Sequence, residues 1–558
     1  MIASYHRLLI IGLDGATLDL VDPWMRAGYL PTLSMLKQKG GAGHLRSVLP
    51  VLSPAAWASF TTGVNPGAHG VYDFAQRLPD SYRLRLTTAQ DLRAPSLWRL
   101  LSDAGKRVAV VNVPMTWPPE SVNGVMVTGL GTPDQKTFTY PVELGNRLLA
   151  RGYRVNKTVS YRPGAEKAFL KDTYDMTRRV ANASQELLKQ EPWDLFMLVF
   201  RDSDEMSHFF WKHMDSQHPA HNPKRDPVFS TALLEYYQYL DRLAGELIES
   251  AGPDVNVIVM SDHGAGPLYK DVFLNEWLRQ QGLLVVDSER LKQVGGNLGR
   301  LGLTRSNISS SLQRIGLASF ERKLRLALGE KINVLPKNKR AIFPDAIDWR
   351  QTRAYSFGYH GQIFLNVRGR EPYGIVEPGT EYTHLRGEIT ELLRKWVDPE
   401  DGKPVVSDII VQEMAFQGPY AEAGADLTVI MRDLAYITRQ GYEFADRPGQ
   451  ILSPPSTYES GSHRLDGMLF VAGPDWLTSG DLPIHSIIDL APTILHLLGL
   501  PVAEHMEGSV LTKLLVPTRQ VYTKSHYDGA SVKKNNEGLT AEEEREITER
   551  LRNLGYLE

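Results

Sequence analysis

Short apolar stretches rich in Val, Ile and Leu recur along this chain, and they restrict its fold more than any other feature. They are "LLIIGLD" (8–14), "RVAVVNVP" (107–114), "GVMVTGL" (124–130), "DLFMLVFRD" (194–202), "VNVIVMSDHG" (255–264), "ADLTVIM" (425–431) and "GMLFVAGP" (467–474). Runs this short, with no polar alternation, suit strands buried on both faces, as in a mostly parallel sheet covered by helices. Helical patterns lie between them, notably 168–190 and 230–252, the latter closed by Gly252. The expected class is α/β, a three-layer sandwich around a mostly parallel central sheet.

Composition narrows the function. At 558 residues and 42% hydrophobic content there is ample material for a large core. A net charge of -3 argues against a protein that coats nucleic acid, so no specific nucleic-acid binding is expected. The absence of cysteine excludes disulfides, thiolate metal sites and a cysteine nucleophile, and fits a reducing compartment. The first residues, "MIASYHRLLIIGLDGATLDL", hold only a short apolar run that ends in an acid. That is too short for a signal-peptide core or a membrane span, so the cytoplasm is the expected location.

The chemistry begins where the strands end. In open α/β sheets, ligands bind at the carboxyl ends of the strands. Three of the apolar runs lead there into metal-type ligands: Asp14 after the first, Asp204 and His208 after the fourth, Asp262 and His263 after the fifth. Asp204 and His208 are four apart, which puts both on one face of a helical turn. Adjacent Asp262 and His263 need a turn, which Gly264 and Gly266 are expected to supply. A third imidazole is available from His463, in the Gly/Ser-rich stretch "ESGSH" that is expected to be a loop.

The order of Asp14, the serine-rich "SVLPVLSPAAWASFTTGVNPGAHG" (47–70), the DxxxH of Asp204 and His208, the SDHG of Asp262 and His263 and the GSH of His463 resembles the alkaline phosphatase superfamily, in its type I phosphodiesterase/nucleotide pyrophosphatase branch. The resemblance implies two divalent cations, zinc foremost, with manganese or iron also compatible with an all-nitrogen-and-oxygen ligand set. It assigns Asp14, Asp262 and His263 to one ion and Asp204, His208 and His463 to the other. It also places the nucleophile ten residues before the Gly of a "TG" pair, which here is Ser53, close enough to count among the metal contacts. The local sequence agrees: Ser53 before Pro54 reads as a helix cap, where a hydroxyl meets unpaired backbone N–H groups and the positive end of the helix dipole. Thr61 and Thr62 fall at the far end of that helix, and His69 and Gly70 read as structural support.

The implied activity is phosphodiester or pyrophosphate hydrolysis through a phosphoserine, with a small phosphate ester as substrate. Alternatives are a phosphomonoesterase, a phosphoglycerate-mutase-like phosphotransferase, or a non-catalytic metal-binding or membrane-associated scaffold. A sulfatase is disfavoured, because "SPAAW" lacks the C/S-x-P-x-R context. The resemblance departs where nucleotide pyrophosphatases commonly have Pro-Asn-His after the nucleophile and Asn after the following HG; here "SPAAWASF" and "HGVYDF", with Asp73 and Phe74, leave a nucleotide unspecified. The domain expectation is a discontinuous catalytic unit of residues 1–285 and 341–530, a helical basic insertion at 286–340, and a charged C-terminal helix at 531–558 that opens with the capping box Thr540 to Glu543. Residues 289–340 carry twelve basic against three acidic side chains, a field suited to a solvated helical face, an anionic substrate or an anionic membrane surface. Oligomeric state is not legible.

Overall fold

The computed structural model describes residues 5–78, 80–134, 136–287, 344–439, 444, 449–455, 457–516, 520–525 and 538–553. Of the basic insertion only residues 286 and 287 are described, so its basic stretch and any membrane contact through it lie outside the described residues.

The central sheet runs, from one edge to the other, through Gly480–Asp481, Gly41–Arg46, Asp466–Ala472, Val255–Met260, Arg7–Leu13, Leu195–Phe200, Val108–Val113, Gly124–Thr128 and Thr139–Tyr140. His485–Ser486 also pairs with Gly41–Arg46. Arg7–Leu13 lies parallel between Leu195–Phe200 and Val255–Met260, so the carboxyl ends of these three strands emerge side by side. Asp466–Ala472 joins antiparallel.

The two-faced burial expected of the runs is explicit. Leu9, Ile11 and Leu13 belong to one apolar cluster with helices Pro31–Lys39, Glu166–Gln190, Asp202–Met214 and Ala232–Ala251. Leu8 and Ile10 belong to a second, with helices Ser53–Thr62, Leu97–Asp103 and Leu490–Leu497. Each such side chain contributes about 1.5–3 kcal/mol on burial, so alternate residues of one strand hold both outer layers.

One strand falls elsewhere. Leu427–Met431, which reads like a central strand, lies in a second, largely antiparallel sheet with Ala354–Ser356, Gln362–Leu365, Tyr436–Ile437, Lys270–Val272, Leu452–Ser453 and Val406–Val411. This sheet has its own core, including Trp277, Trp349, Tyr355, Phe364 and Leu385. Near the C-terminus, Ala541–Asn553 is helical, and its capping box forms: Thr540 N donates to Glu543 Oε2 at 2.8 Å and Glu543 N to Thr540 Oγ1 at 3.3 Å. Among the described residues no helix is long and apolar enough to cross a membrane.

Candidate active site

The three central strands deliver their ligands within a few residues of their ends. Asp14 follows Leu13 directly, and its backbone N–H is held by Phe200 O of the neighbouring strand at 3.1 Å. Asp204 and His208 share the first turns of helix Asp202–Met214, and Asp262 and His263 follow the strand that ends at Met260. Two buried serines lock these loops together. Ser203 Oγ donates to Asp14 O and Ser261 Oγ to Ala16 O, each at 2.7 Å.

His463 does not sit in a loop. It lies in the strand Gly461–Arg464, which pairs antiparallel with Gly264–Pro267 so that His463 stands opposite Ala265. This ribbon brings the third imidazole beside the SDHG segment. The glycines of that segment accordingly serve close packing, not a left-handed turn. A Cβ at Gly264 would meet Asp466 O at 2.2 Å, and one at Gly266 the Arg464 guanidinium at 2.4 Å.

Ser53 is also placed differently in detail. It is the first helical residue of Ser53–Thr62, with Leu52 as the cap, so its hydroxyl is not spent on a capping bond. Instead Ser53 Oγ donates to Asp14 Oδ1 at 3.3 Å and lies 3.3 Å from His263 Nε2. Thr62 Oγ1 donates back to Ala58 O within the helix, and Thr61 accepts the Leu97 N–H, so neither is a rival nucleophile. His69 bonds Ser59 Oγ at 2.8 Å and accepts the Val71 N–H, and burial lowers it to about 3, a structural role.

The predicted side chains form one buried cluster. His263 Nε2 is 3.4 Å from Asp262 Oδ2 and 3.8 Å from Asp14 Oδ1. His208 Nε2 is 3.3 Å from Asp204 Oδ2, and His463 Nε2 is 3.6 Å from Asp204 Oδ1. The His263 and His463 rings stack with centroids 3.8 Å apart, joining the two halves. Ligand atoms of Asp204, His208 and His463 lie within 4.8 Å of one another, and so do those of Asp14, Asp204 and His263. Asp204 thus reaches both halves, where only the His208/His463 side was expected.

The donor set fits metal ions. Each imidazole is turned by a backbone carbonyl at Nδ1: His208 by Gly461 O at 3.0 Å, His263 by Gly264 O at 3.0 Å and His463 by Val51 O at 2.6 Å. Such bonds fix the tautomer and leave Nε2 as the ligand atom. The Nε2 atoms of His208 and His463 lie 3.1 Å apart, close enough to share one proton or one cation. The carboxylates favour a positive neighbour too. Burial and then the charges of Asp262 and Asp204 push Asp14 well above the usual range, and burial also raises Asp262. Neither is paired with Lys or Arg among the described residues. Burial works against the Asp204 carboxylate too, but His208 and His463 hold it far below the ordinary value. Burial pushes the His208 imidazole down, yet Asp204 outweighs it and lifts it to about 9. Three close buried carboxylates ringed by imidazoles make a donor set that could hold metal.

Sequence reasoning missed Trp57. Its indole Nε1 donates to Asp14 Oδ2 at 3.0 Å, while Ser53 engages the other oxygen. The signal was present in the spacing: Ser53 and Trp57 are one turn apart on the same helix.

No match was found among curated proteins. Among solved structures, the chain resembles phosphonoacetate hydrolase from Sinorhizobium meliloti 1021 in complex with phosphonoformate, with 16% identity, a TM-score of 0.52 and coverage of 88% of this chain and 96% of that one. It also resembles human ectonucleotide pyrophosphatase / phosphodiesterase 5, with 13% identity, a TM-score of 0.47 and coverage of 91% and 99%. At these identities the first likeness is one of fold. The sequence itself matches the family described as type I phosphodiesterase / nucleotide pyrophosphatase over residues 8–404. With that match spanning most of its length, the chain belongs to the type I phosphodiesterase / nucleotide pyrophosphatase family and is a metal-dependent hydrolase of phosphate esters.

Proposed function

We propose that the protein hydrolyses small phosphodiesters through a phosphoseryl intermediate on Ser53. The observation that carries this reading is the Ser53 hydroxyl, 3.3 Å from both Asp14 Oδ1 and His263 Nε2 and at the start of a ten-residue buried helix. In the proposed arrangement Asp14, Asp262 and His263 hold one divalent cation and Asp204, His208 and His463 a second, with zinc the ion that best suits an Asp/His donor set. When bound, such ions supply Lewis-acid charge that favours the serine alkoxide and offsets charge on the phosphoryl oxygens.

The protein's own groups do the rest. Asp14 and His263 orient the Ser53 Oγ, and the first backbone N–H groups of helix Ser53–Thr62 give a phosphoryl oxygen a favourable seat. Attack by Oγ forms the Oγ–P bond as the P–O bond to the leaving alcohol breaks, and the departing alkoxide takes up the proton that the serine hydroxyl gives up. Water then cleaves the phosphoseryl ester, releases the phosphate monoester and restores the serine hydroxyl. Burial of the cluster excludes bulk water from the first step and strengthens each electrostatic contact.

The test is Ser53→Ala, assayed on bis-p-nitrophenyl phosphate and p-nitrophenyl phosphate with metal content measured in parallel. The expected outcome is loss of turnover with two equivalents of metal retained and faster cleavage of the diester by the parent protein. Persistent turnover in the variant removes Ser53 from the mechanism.

A further inference from the structure

The second sheet contributes one side chain that neither the motifs nor the family match assigns. His360 lies in the turn between strands Ala354–Ser356 and Gln362–Leu365, with φ 60°, in the left-handed region. A non-glycine residue there costs about 1–3 kcal/mol, and persists only where the surroundings fix it. Here they do. The Thr438 hydroxyl donates to Gly358 O at 2.9 Å and accepts the Gly361 N–H at 2.8 Å, while Gln362 Nε2 donates to Tyr359 O at 3.0 Å. Gly361, at φ 72°, leaves no room for a Cβ, which would stand 2.1 Å from Val429 O.

This rigid turn aims an imidazole at the metal cluster. His360 is only 1% exposed, its ring centroid is 5.4 Å from that of His463, and its Nδ1 has no hydrogen-bond partner among the described residues. Buried polar atoms are rarely left so, and one beside a reactive cluster calls for a partner, whether a water or a ligand atom. His360 does not join either Asp/His group whose ligand atoms lie within 4.8 Å of one another. Burial first, and then the charges of His263, Arg464, His208 and Arg439, keep it neutral. A neutral imidazole has one N–H to donate, and the role below requires no change in its protonation.

The same turn borders a cavity of about 240 Å³, whose walls include Tyr72, Asp73, Arg77, Phe357, Gln362 and Phe364. Phe357 and Gln362 flank the turn and line the cavity together. The volume falls below the roughly 300–1,000 Å³ of pockets for drug-sized molecules, which suits a compact aryl-sized or sugar-sized group.

We propose that His360 is a substrate-binding residue, donating its N–H to a phosphoester oxygen on the His463 side of the site, and that the adjoining cavity receives the organic group attached to that oxygen. The proposal rests on the phosphodiesterase reading above. It makes the second sheet a specificity element laid over the metal cluster.

The experiment uses His360→Gly and His360→Asn in the metal-loaded full chain, since both replacements accept a left-handed backbone. His360→Gly should lower kcat/KM for bis-p-nitrophenyl phosphate about tenfold to a hundredfold, the worth of one hydrogen bond to a charged oxygen. Inorganic phosphate, titrated calorimetrically, should bind more weakly by a similar factor, with two metal equivalents and the melting temperature retained. Added imidazole should restore part of the rate, and His360→Asn should fall between. Phe357→Trp, which narrows the cavity, should raise KM for the aryl diester while leaving phosphate affinity unchanged. If the parent protein hydrolyses the diester and His360→Gly matches it within twofold in both rate and phosphate affinity, the inference fails and the phosphodiesterase reading stands. If the parent protein neither hydrolyses the diester nor binds phosphate, both fall together.

Discussion

Replacing Trp57 with phenylalanine isolates the part of the site that orients Asp14. The indole Nε1–H is the donor to Asp14 Oδ2, at 3.0 Å, and Trp57 is 2% exposed, so no water replaces it at once. Phenylalanine keeps most of the apolar contact and removes the donor. A hydrogen bond to a charged group is worth about 1.5–3 kcal/mol, and outer partners of metal ligands typically govern about 10–100-fold in metal affinity. The two figures agree, because a decade of affinity is about 1.4 kcal/mol. Losing the indole also removes one of the contacts that lower the Asp14 proton affinity, so protons compete better for the same oxygen. In a competition titration against a chromophoric chelator, Trp57→Phe should show two binding steps, one weakened about 10–100-fold and the other, carried by Asp204, His208 and His463, retained. A folded variant with both steps unchanged would refute the assignment of Trp57 as the positioning residue for Asp14.

Other outcomes follow from the same geometry. Asp262→Asn should lose one metal equivalent together with activity, because an amide is a poor replacement for a carboxylate on a hard cation; two full equivalents by elemental analysis would remove Asp262 from the ligand set. In the metal-free protein His208 titrates near 9, above the roughly 6.5 of the unfolded chain, so its stabilising effect is complete below pH 6.5 and is lost as pH rises to about 9. The loss is on the order of 3 kcal/mol from this group, seen as a lower denaturation midpoint at pH 9 than at pH 6.5. Metal should abolish the slope by holding the imidazole neutral throughout, and a flat profile for the metal-free protein would contradict the Asp204–His208 pairing.

The central sheet was legible because strands buried on both faces cannot afford polar residues, and the runs around Leu9, Leu198 and Val257 show none in their interiors apart from Asn256. Asp14, Asp204 and Asp262 stood out for a related reason: an acid within a few residues of such a run's end sits where a parallel sheet opens. His463 was harder to place. Its strand is four residues long and begins Gly-Ser, without the β-branched side chains that mark strands, and tertiary pairing with Gly264–Pro267 overrides that local composition. The second sheet was hidden for two reasons. Tyr436–Ile437 and Leu452–Ser453 are two residues each, and Leu427–Met431 has the same apolar character as a central strand. His360 gave no signal, since a single histidine between Tyr359 and Gly361 acquires its meaning only from where the second sheet carries it.

The most direct test of the two-cation site is anomalous diffraction from crystals of the metal-loaded protein, collected at the absorption edge of the ion found by elemental analysis. The account predicts two peaks beside Ser53 Oγ, one bounded by Asp14, Asp262 and His263 and the other by Asp204, His208 and His463. A single peak, or peaks remote from these side chains, would contradict it.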